Sequence, residues 1–221
     1  MKTRIITIIA TVALLVFFCG LAVNTVSKFD GLYENVLSQG NWPEQKAHIK
    51  AYLDYMNGKT SDSEFFSSEL FSFTETERKY LSNLQNTIAA VNTVEIISAI
   101  ASIAAIAYLL VLEKREAFKH LLKAFLIGGA IVIVLVVAGQ IWCANNKEGM
   151  LYFINSFAGG GITDIFSAPS LPTLFSIPFF ARIVRGSLTI TGILVILTVL
   201  LLWFLREVTN KKNKDEDYLY Q

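Results

Sequence analysis

"VEIISAIASIAAIAYLLVL", residues 94–112, decides the fold, because Glu95 is the only charged residue in it. A helix needs about 20 mainly apolar residues to cross the hydrocarbon core of a bilayer, so this stretch predicts a membrane span. Small residues recur in it at three- and four-residue spacing, a pattern that suits close contact between helices in lipid. These small residues are Ser98, Ala101, Ser102 and Ala105.

Three further stretches have the same character, at about residues 5–23, 122–142 and 187–205. The first is predicted to be an uncleaved anchor, because its apolar run exceeds the roughly 7–15 residues of a signal-peptide core. The whole chain of 221 residues is 53% hydrophobic and only 17% charged, whereas a soluble domain is about a quarter charged. The sequence therefore predicts an all-α membrane protein, a single membrane domain over residues 1–221 with four transmembrane helices.

The positions of Lys and Arg predict the orientation of these spans. Ten of the nineteen basic residues fall in three short segments on one side, which the positive-inside rule makes cytoplasmic. Both termini are then cytoplasmic, with a charged and disordered tail at 206–221, and residues 24–93 and 143–186 are extracytoplasmic. The ten residues are Lys2, Arg4, Lys114, Arg115, Lys119, Lys123, Arg206, Lys211, Lys212 and Lys214.

Several functions leave no trace in the sequence. The net charge is +1, and no basic patch with interleaved aromatic residues indicates a nucleic-acid partner. The two cysteines, Cys19 and Cys143, lie in apolar runs without metal-ligand spacing. The glycines at 159–161 lack the Lys and Ser/Thr of a phosphate-binding loop. We therefore expect no metal and no cofactor.

The first extracytoplasmic segment contains a predicted helix within "NWPEQKAHIKAYLDYMNGK", residues 41–59, which ends before Gly58. Its apolar stripe consists of Ile49, Leu53 and Met56. His48 lies on another face, one turn from Glu44 and from Tyr52. That histidine is a candidate for acid–base chemistry, and an ordinary surface position is the alternative.

A second helix is predicted to begin at a capping box, Thr74 with Glu77 three residues later, and to run directly into the span at 94–112. Its polar flank is predicted to be exposed and carries candidate site residues, which are Glu77, Arg78, Ser82, Asn83, Asn86 and Glu95. An acid at the depth of Glu95 either faces protein or a wet cavity, or reaches outward to the membrane interface.

The second extracytoplasmic segment, residues 143–186, is rich in Phe, Gly and Pro and predicts a re-entrant or interfacial loop packed on other protein. Arg182 and Arg185 close it at the start of the last span. They are candidates to hold an anionic lipid headgroup. Pairing with acids such as Glu69 or Asp164 is the alternative.

Three stretches resemble a family of bacterial four-span membrane proteins that includes the lipoprotein intramolecular transacylases (Lit). "AYLDYMNGK", residues 51–59, is similar to the family's Tyr-Leu-x-Gly-Lys helix end. "LFSFTETER", residues 70–78, is similar to its Phe-x-x-Glu-Arg entry to the second span. "YFINSFAGGGITDIFSAPSLPTLFSIPFF", residues 152–180, resembles its Phe-rich third loop. With the order of the spans, the resemblance covers nearly the whole chain.

This resemblance implies a location in the bacterial cell membrane and a reaction at its outer leaflet. An acyl chain would move from the diacylglyceryl group of a lipoprotein's N-terminal Cys to the amine of that Cys. The family places histidines near Ser82 or Asn83 and near Ile154 or Asn155, where this chain has none.

Acyl transfer needs a base and donors for an oxyanion, so the sequence offers two sets of candidates. The catalytic candidates are His48, Glu77, Arg78 and Glu95, and the binding candidates are Ser82, Asn83, Asn155, Asp164, Arg182 and Arg185. The implied partner is membrane lipid or lipoprotein. The alternative is a non-catalytic accessory, immunity or binding protein on the same scaffold, with a membrane protein as its partner.

Overall fold

The computed structural model describes residues 2–29, 31, 45–68, 73–146, 149 and 177–219, and all regular secondary structure in these residues is helical. A 3-10 turn at Lys114–Glu116 joins two of the long helices. The helices are α1 (Lys2–Ser27), α2 (Gln45–Met56), α3 (Asp62–Phe66), α4 (Glu75–Glu113), α5 (Ala117–Asn145) and α6 (Ile177–Leu219).

Four of the described helices are long and apolar enough to cross a membrane, namely α1, α4, α5 and the Ala181–Asn210 part of α6. The predicted all-α fold with four membrane helices is thus confirmed, and the chain is a multi-pass integral membrane protein. Each helix extends beyond its predicted apolar stretch. The hydrocarbon core requires only about 20 apolar residues, and the helical backbone continues into the polar residues that flank them.

Two other features of the predicted topology were not confirmed: one is wrong, and the other lies largely outside the described residues. The prediction of a disordered tail at 206–221 is wrong for most of its length, because α6 continues to Leu219. The re-entrant or interfacial loop lies largely outside the described residues.

The chain divides into two compact units. The membrane unit comprises Met1–Leu21, Val94–Ala138 and Leu188–Gln221. The flanking unit comprises Ala22–Thr93 and Gly139–Ser187.

The core of the membrane unit draws apolar side chains from all four long helices, including Phe18, Leu109, Phe125 and Val195. Glycines allow the helices to approach closely, since a Cβ built at Gly129 would lie 3.0 Å from Val195. The predicted small-residue stripe of α4 is turned inward. Ser98 and Ser102 are buried, whereas the isoleucines of the opposite face are exposed, namely Ile96, Ile97, Ile100 and Ile103.

The flanking unit is built where α2, α3 and the first turns of α4 meet. Leu53 and Met56 of the predicted apolar stripe are buried. Helix α2 ends as expected at Gly58, whose φ of +70° is the left-handed conformation that glycine adopts without strain. The reversal at this glycine brings α3 back toward the end of α2, which places the polar groups described next.

Candidate functional site

A cluster of polar side chains joins α2, α3 and α4 in the flanking unit. The Tyr55 hydroxyl donates to Asp62 Oδ1 at 2.8 Å, and the Ser82 hydroxyl donates to Asp62 Oδ2 at 3.1 Å. Gln85 Nε2 donates to the carbonyl oxygen of Tyr55 at 2.7 Å. One carboxylate therefore accepts hydrogen bonds from two hydroxyl groups on different helices, and we call these residues the Tyr55–Asp62–Ser82 cluster.

Aromatic packing fixes the Tyr55 side chain in this cluster. Its ring stacks on Phe65 with centroids 4.2 Å apart and planes 6° apart, and the residue is fully buried. Burial raises the pKa of the Tyr55 hydroxyl, and the hydrogen bond to the negatively charged Asp62 raises it further. The hydroxyl therefore remains protonated at neutral pH and acts as a donor to the carboxylate.

Glu77, a predicted catalytic residue, caps α4. Its Oε2 accepts from the Thr74 backbone N–H at 2.7 Å and from the Thr74 hydroxyl at 2.8 Å, and Thr74 Oγ1 accepts from the Glu77 N–H at 3.3 Å. These reciprocal bonds form the predicted capping box. The residue is 0% exposed, so the prediction that it lies on an exposed flank is wrong; its carboxylate is turned back onto Thr74 and stabilises the start of α4.

Arg78, the second predicted catalytic residue, lies on the outside of the same turn. Its guanidinium is exposed and stands 5.7 Å from the centroid of the Phe66 ring, within the range of a cation–π contact. The guanidinium of Arg78 therefore contacts the aromatic ring of Phe66 in α3.

Glu95, in the membrane unit, is half-buried against α1. A Cβ built at Gly20 would lie only 2.9 Å from Glu95 Cβ, so the absence of a side chain at Gly20 makes room for the glutamate. The Cβ and Cγ atoms of Glu95 therefore lie against the backbone of α1 at Gly20.

Arg185 pairs with Gln140 of α5. Its Nε donates to Gln140 Oε1 at 3.1 Å, and Gln140 Nε2 donates to the Arg185 carbonyl oxygen at 2.8 Å. Arg182 is exposed on the same helix. Glu69 and Asp164, the acids expected as alternative partners of these arginines, lie outside the described residues.

Other candidates are only partly described. The backbone of His48 belongs to α2, but its side chain lies outside the described residues, as does all of Asn155. Asn83 is half-buried beside Ser82. Among the predicted site residues, Ser82 donates a hydrogen bond to the carboxylate of Asp62, a residue that was not predicted to belong to the site. Within the described part of the chain, no group of three His, Cys, Asp or Glu residues could hold a metal ion.

Tyr55 and Asp62 are the site residues that sequence reasoning missed. The available signal was Gly58, since a left-handed turn after α2 returns the chain toward the helix it has just left. Ser61 then caps α3 by accepting from the Glu64 N–H, which sets Asp62 in the first turn.

Solved structures of the membrane-integral lipoprotein intramolecular transacylase Lit from Bacillus cereus have a similar fold. One has a TM-score of 0.69 at 18% identity, covering 96% of this chain and 98% of that one. A variant with one histidine replaced by arginine gives 0.64 at 17% identity over 97% and 95% of the two chains. A variant with the same histidine replaced by alanine gives 0.62 at 15% identity over 96% of each.

No family model and no curated protein sequence matches this chain. At the identities above, the structural similarity shows a shared fold over almost the full length of both chains. The resemblance expected from the sequence is thus confirmed at the level of the fold.

Proposed function

We propose that this protein acts on the acyl groups of a lipoprotein, or of a similar acylated lipid, at the outer leaflet of the membrane. The observation that carries the proposal is the shared fold with Lit over 96% of the chain. The fold class and the apolar helices support a lipid-exposed protein, and the activity of the structurally similar transacylase suggests intramolecular acyl transfer.

The transfer has simple chemical requirements. The amine nitrogen of the lipoprotein's N-terminal Cys forms a bond to an ester carbonyl carbon, and the ester C–O bond to the glyceryl group breaks. A base takes a proton from the nitrogen, and the glyceryl oxygen receives a proton as it leaves. Hydrogen-bond donors stabilise the tetrahedral oxyanion between these steps.

The Tyr55–Asp62–Ser82 cluster supplies groups of the required types. In our proposal, Asp62 accepts the amine proton through the Ser82 hydroxyl that already donates to it, and it returns the proton to the glyceryl oxygen. Tyr55 holds Asp62 in place. Ser82 supports this assignment because the sequence resemblance places a histidine near Ser82 or Asn83. His48, Arg78 and Glu95 remain further candidates for catalysis. The remaining candidates for binding the substrate are Asn83, Asn155, Asp164, Arg182 and Arg185.

Tandem mass spectrometry of lipoprotein N-terminal peptides tests the proposal. Intramolecular transfer leaves the total mass unchanged, so the fragments must locate the acyl chain on the amine or on the glyceryl group. Cells that lack other N-acylation activity should show amine-linked chains when they express this protein. Loss of a proton-transfer group costs about 100-fold or more in rate, so Asp62→Asn should abolish the product.

Asp54→Asn is the matched control, because Asp54 lies on the adjacent helix α2 and pairs with Lys59 at 3.2 Å, outside the cluster. This variant should retain the product. Acyl chains that stay on the glyceryl group in cells expressing the wild-type protein would contradict the transfer reaction.

One observation favours a second candidate function, that of a non-catalytic binding or accessory protein. The Glu77 carboxylate is one of the few acids on the predicted polar flank. It accepts the capping hydrogen bonds of α4. Co-purification of diacylated lipoprotein with the wild-type protein, without any amine-linked product, would support this second function over the first.

A further inference from the structure

The membrane unit contains a cavity of about 520 Å³ at the end where α1 and α5 begin and α4 finishes. It is independent of the proposed function, which uses none of its residues. Two faces of parallel helices form most of it, one from the first turns of α1 and one from the first three turns of α5. Its lining includes Arg4, Ile8, Glu113, His120, Lys123 and Ile127.

The cavity is basic at its rim. Arg4 and Lys123 bring two positive charges, and His120 adds a ring N–H donor. Among the described residues that line it, Glu113 is the only acid, and its Oε1 accepts a hydrogen bond from the Thr3 hydroxyl. The carboxylate is therefore engaged within the wall, while Arg4, His120 and Lys123 are exposed. The positive ends of the α1 and α5 helix dipoles lie at the same end of this unit.

The deeper part of the cavity is apolar. Ile8 and Ile127 lie one turn beyond Arg4 and Lys123, and 58% and 62% of their surfaces are exposed. Both belong to helices that cross the membrane, so these exposed faces are surrounded by hydrocarbon. A ligand that fits this arrangement carries an anionic headgroup at the basic rim and an acyl chain along the isoleucines.

We propose that the cavity binds one anionic phospholipid, with its phosphate between Arg4 and Lys123 and one acyl chain against Ile8 and Ile127. Charge complementarity selects the headgroup, because basic pockets between membrane helices attract anionic lipids. The apolar wall favours a lipid over a free phosphate ion, because only a lipid can contact the basic rim and the isoleucines with one molecule.

Native mass spectrometry of the full-length protein in detergent, titrated with phosphatidylglycerol or phosphatidylcholine, tests this assignment. We expect one phosphatidylglycerol to bind in clear preference to phosphatidylcholine. Each basic residue near an anionic headgroup contributes enough that Arg4→Gln combined with Lys123→Gln should weaken binding about thirtyfold.

Lys2→Gln combined with Lys119→Gln is the matched control. It removes the same charge from the same end of the unit at two exposed residues that do not line the cavity, and it should retain the wild-type affinity. An equal loss in this control would overturn the proposal in favour of general attraction between charges. Equal binding of phosphatidylcholine, or displacement of the bound lipid by excess inorganic phosphate, would overturn it as well. Circular dichroism of each variant verifies that the helices are intact.

Discussion

Glu77 is completely buried, and its hydrogen bonds to Thr74 are those of a helix N-terminal cap. Its carboxylate accepts two hydrogen bonds from Thr74, and the Thr74 hydroxyl accepts one in return. A group held in this way is not free to exchange a proton with a substrate without releasing the first turn of α4. Its importance should therefore appear in stability.

Glu77→Ala should lower the free energy of unfolding by about 0.5–2 kcal/mol, because the capping box that joins Glu77 to Thr74 is lost. Thermal unfolding in detergent measures the change. Glu75→Ala, at an exposed position of the same turn, is the control and should change little.

The substitution Glu77→Gln separates a cap from a base. Glutamine also serves in a capping box, so this variant should keep both the stability and any acyl-transfer activity of the wild type. A stable Glu77→Gln protein that has lost activity would show that Glu77 acts in the chemistry.

The sequence predicted single residues best where their partners were local. The three-residue spacing of Thr74 and Glu77 was enough to predict the capping box. The bonds from Tyr55 and Ser82 to Asp62 span seven and twenty residues and depend on how α2, α3 and α4 pack. No periodic pattern carries that information, which is why Asp62 was not among the candidate residues.

At the scale of the elements, the contact between α1 and α4 in the membrane unit depends on a missing side chain. A Cβ at Gly20 would approach Glu95 Cβ to 2.9 Å, closer than side-chain carbons normally come. The atom approached is next to the backbone of α4, so a rotamer change cannot relieve the overlap.

Gly20→Ala should therefore destabilise the protein by about 1–3 kcal/mol, the usual cost of overpacking a close contact. Gly192→Ala is the control, because the nearest atom to a Cβ there, on Val136, is at an ordinary 3.5 Å. It should leave stability unchanged or raise it by up to about 1 kcal/mol, since alanine favours a helix over glycine. Equal melting temperatures for the two variants in detergent would contradict this account.

Elements as a whole were well predicted, because hydropathy and length alone define a membrane helix. The small residues of α4 also indicated correctly which face turns inward. Helix ends were predicted where a cap or a glycine marked them, as for the start of α4 and the end of α2, but the ends of α1, α5 and α6 were not, since polar residues outside the hydrocarbon core are compatible with either helix or loop. This is why the continuation of α6 to Leu219 was missed.

At the scale of the whole molecule, the distribution of Lys and Arg predicts that both termini are cytoplasmic. Cysteine labelling in a variant without Cys19 and Cys143 tests this orientation. Lys59 and Lys119 suit the comparison because their side chains are similarly exposed, at 69% and 62%.

We expect Lys59→Cys to react with a membrane-impermeant maleimide in intact cells, and Lys119→Cys to react only after the membrane is opened. The reverse pattern would place the termini outside. Equal labelling in intact cells would contradict the assignment of these residues to opposite sides.

Gln140 and Arg185 are joined by two hydrogen bonds although they lie 45 positions apart in the chain. The Gln140 side chain takes part in both bonds, whereas Arg185 uses its side chain in one and its backbone carbonyl in the other. The two partners are therefore not equivalent: replacing Gln140 by alanine removes both bonds, and replacing Arg185 by alanine removes one.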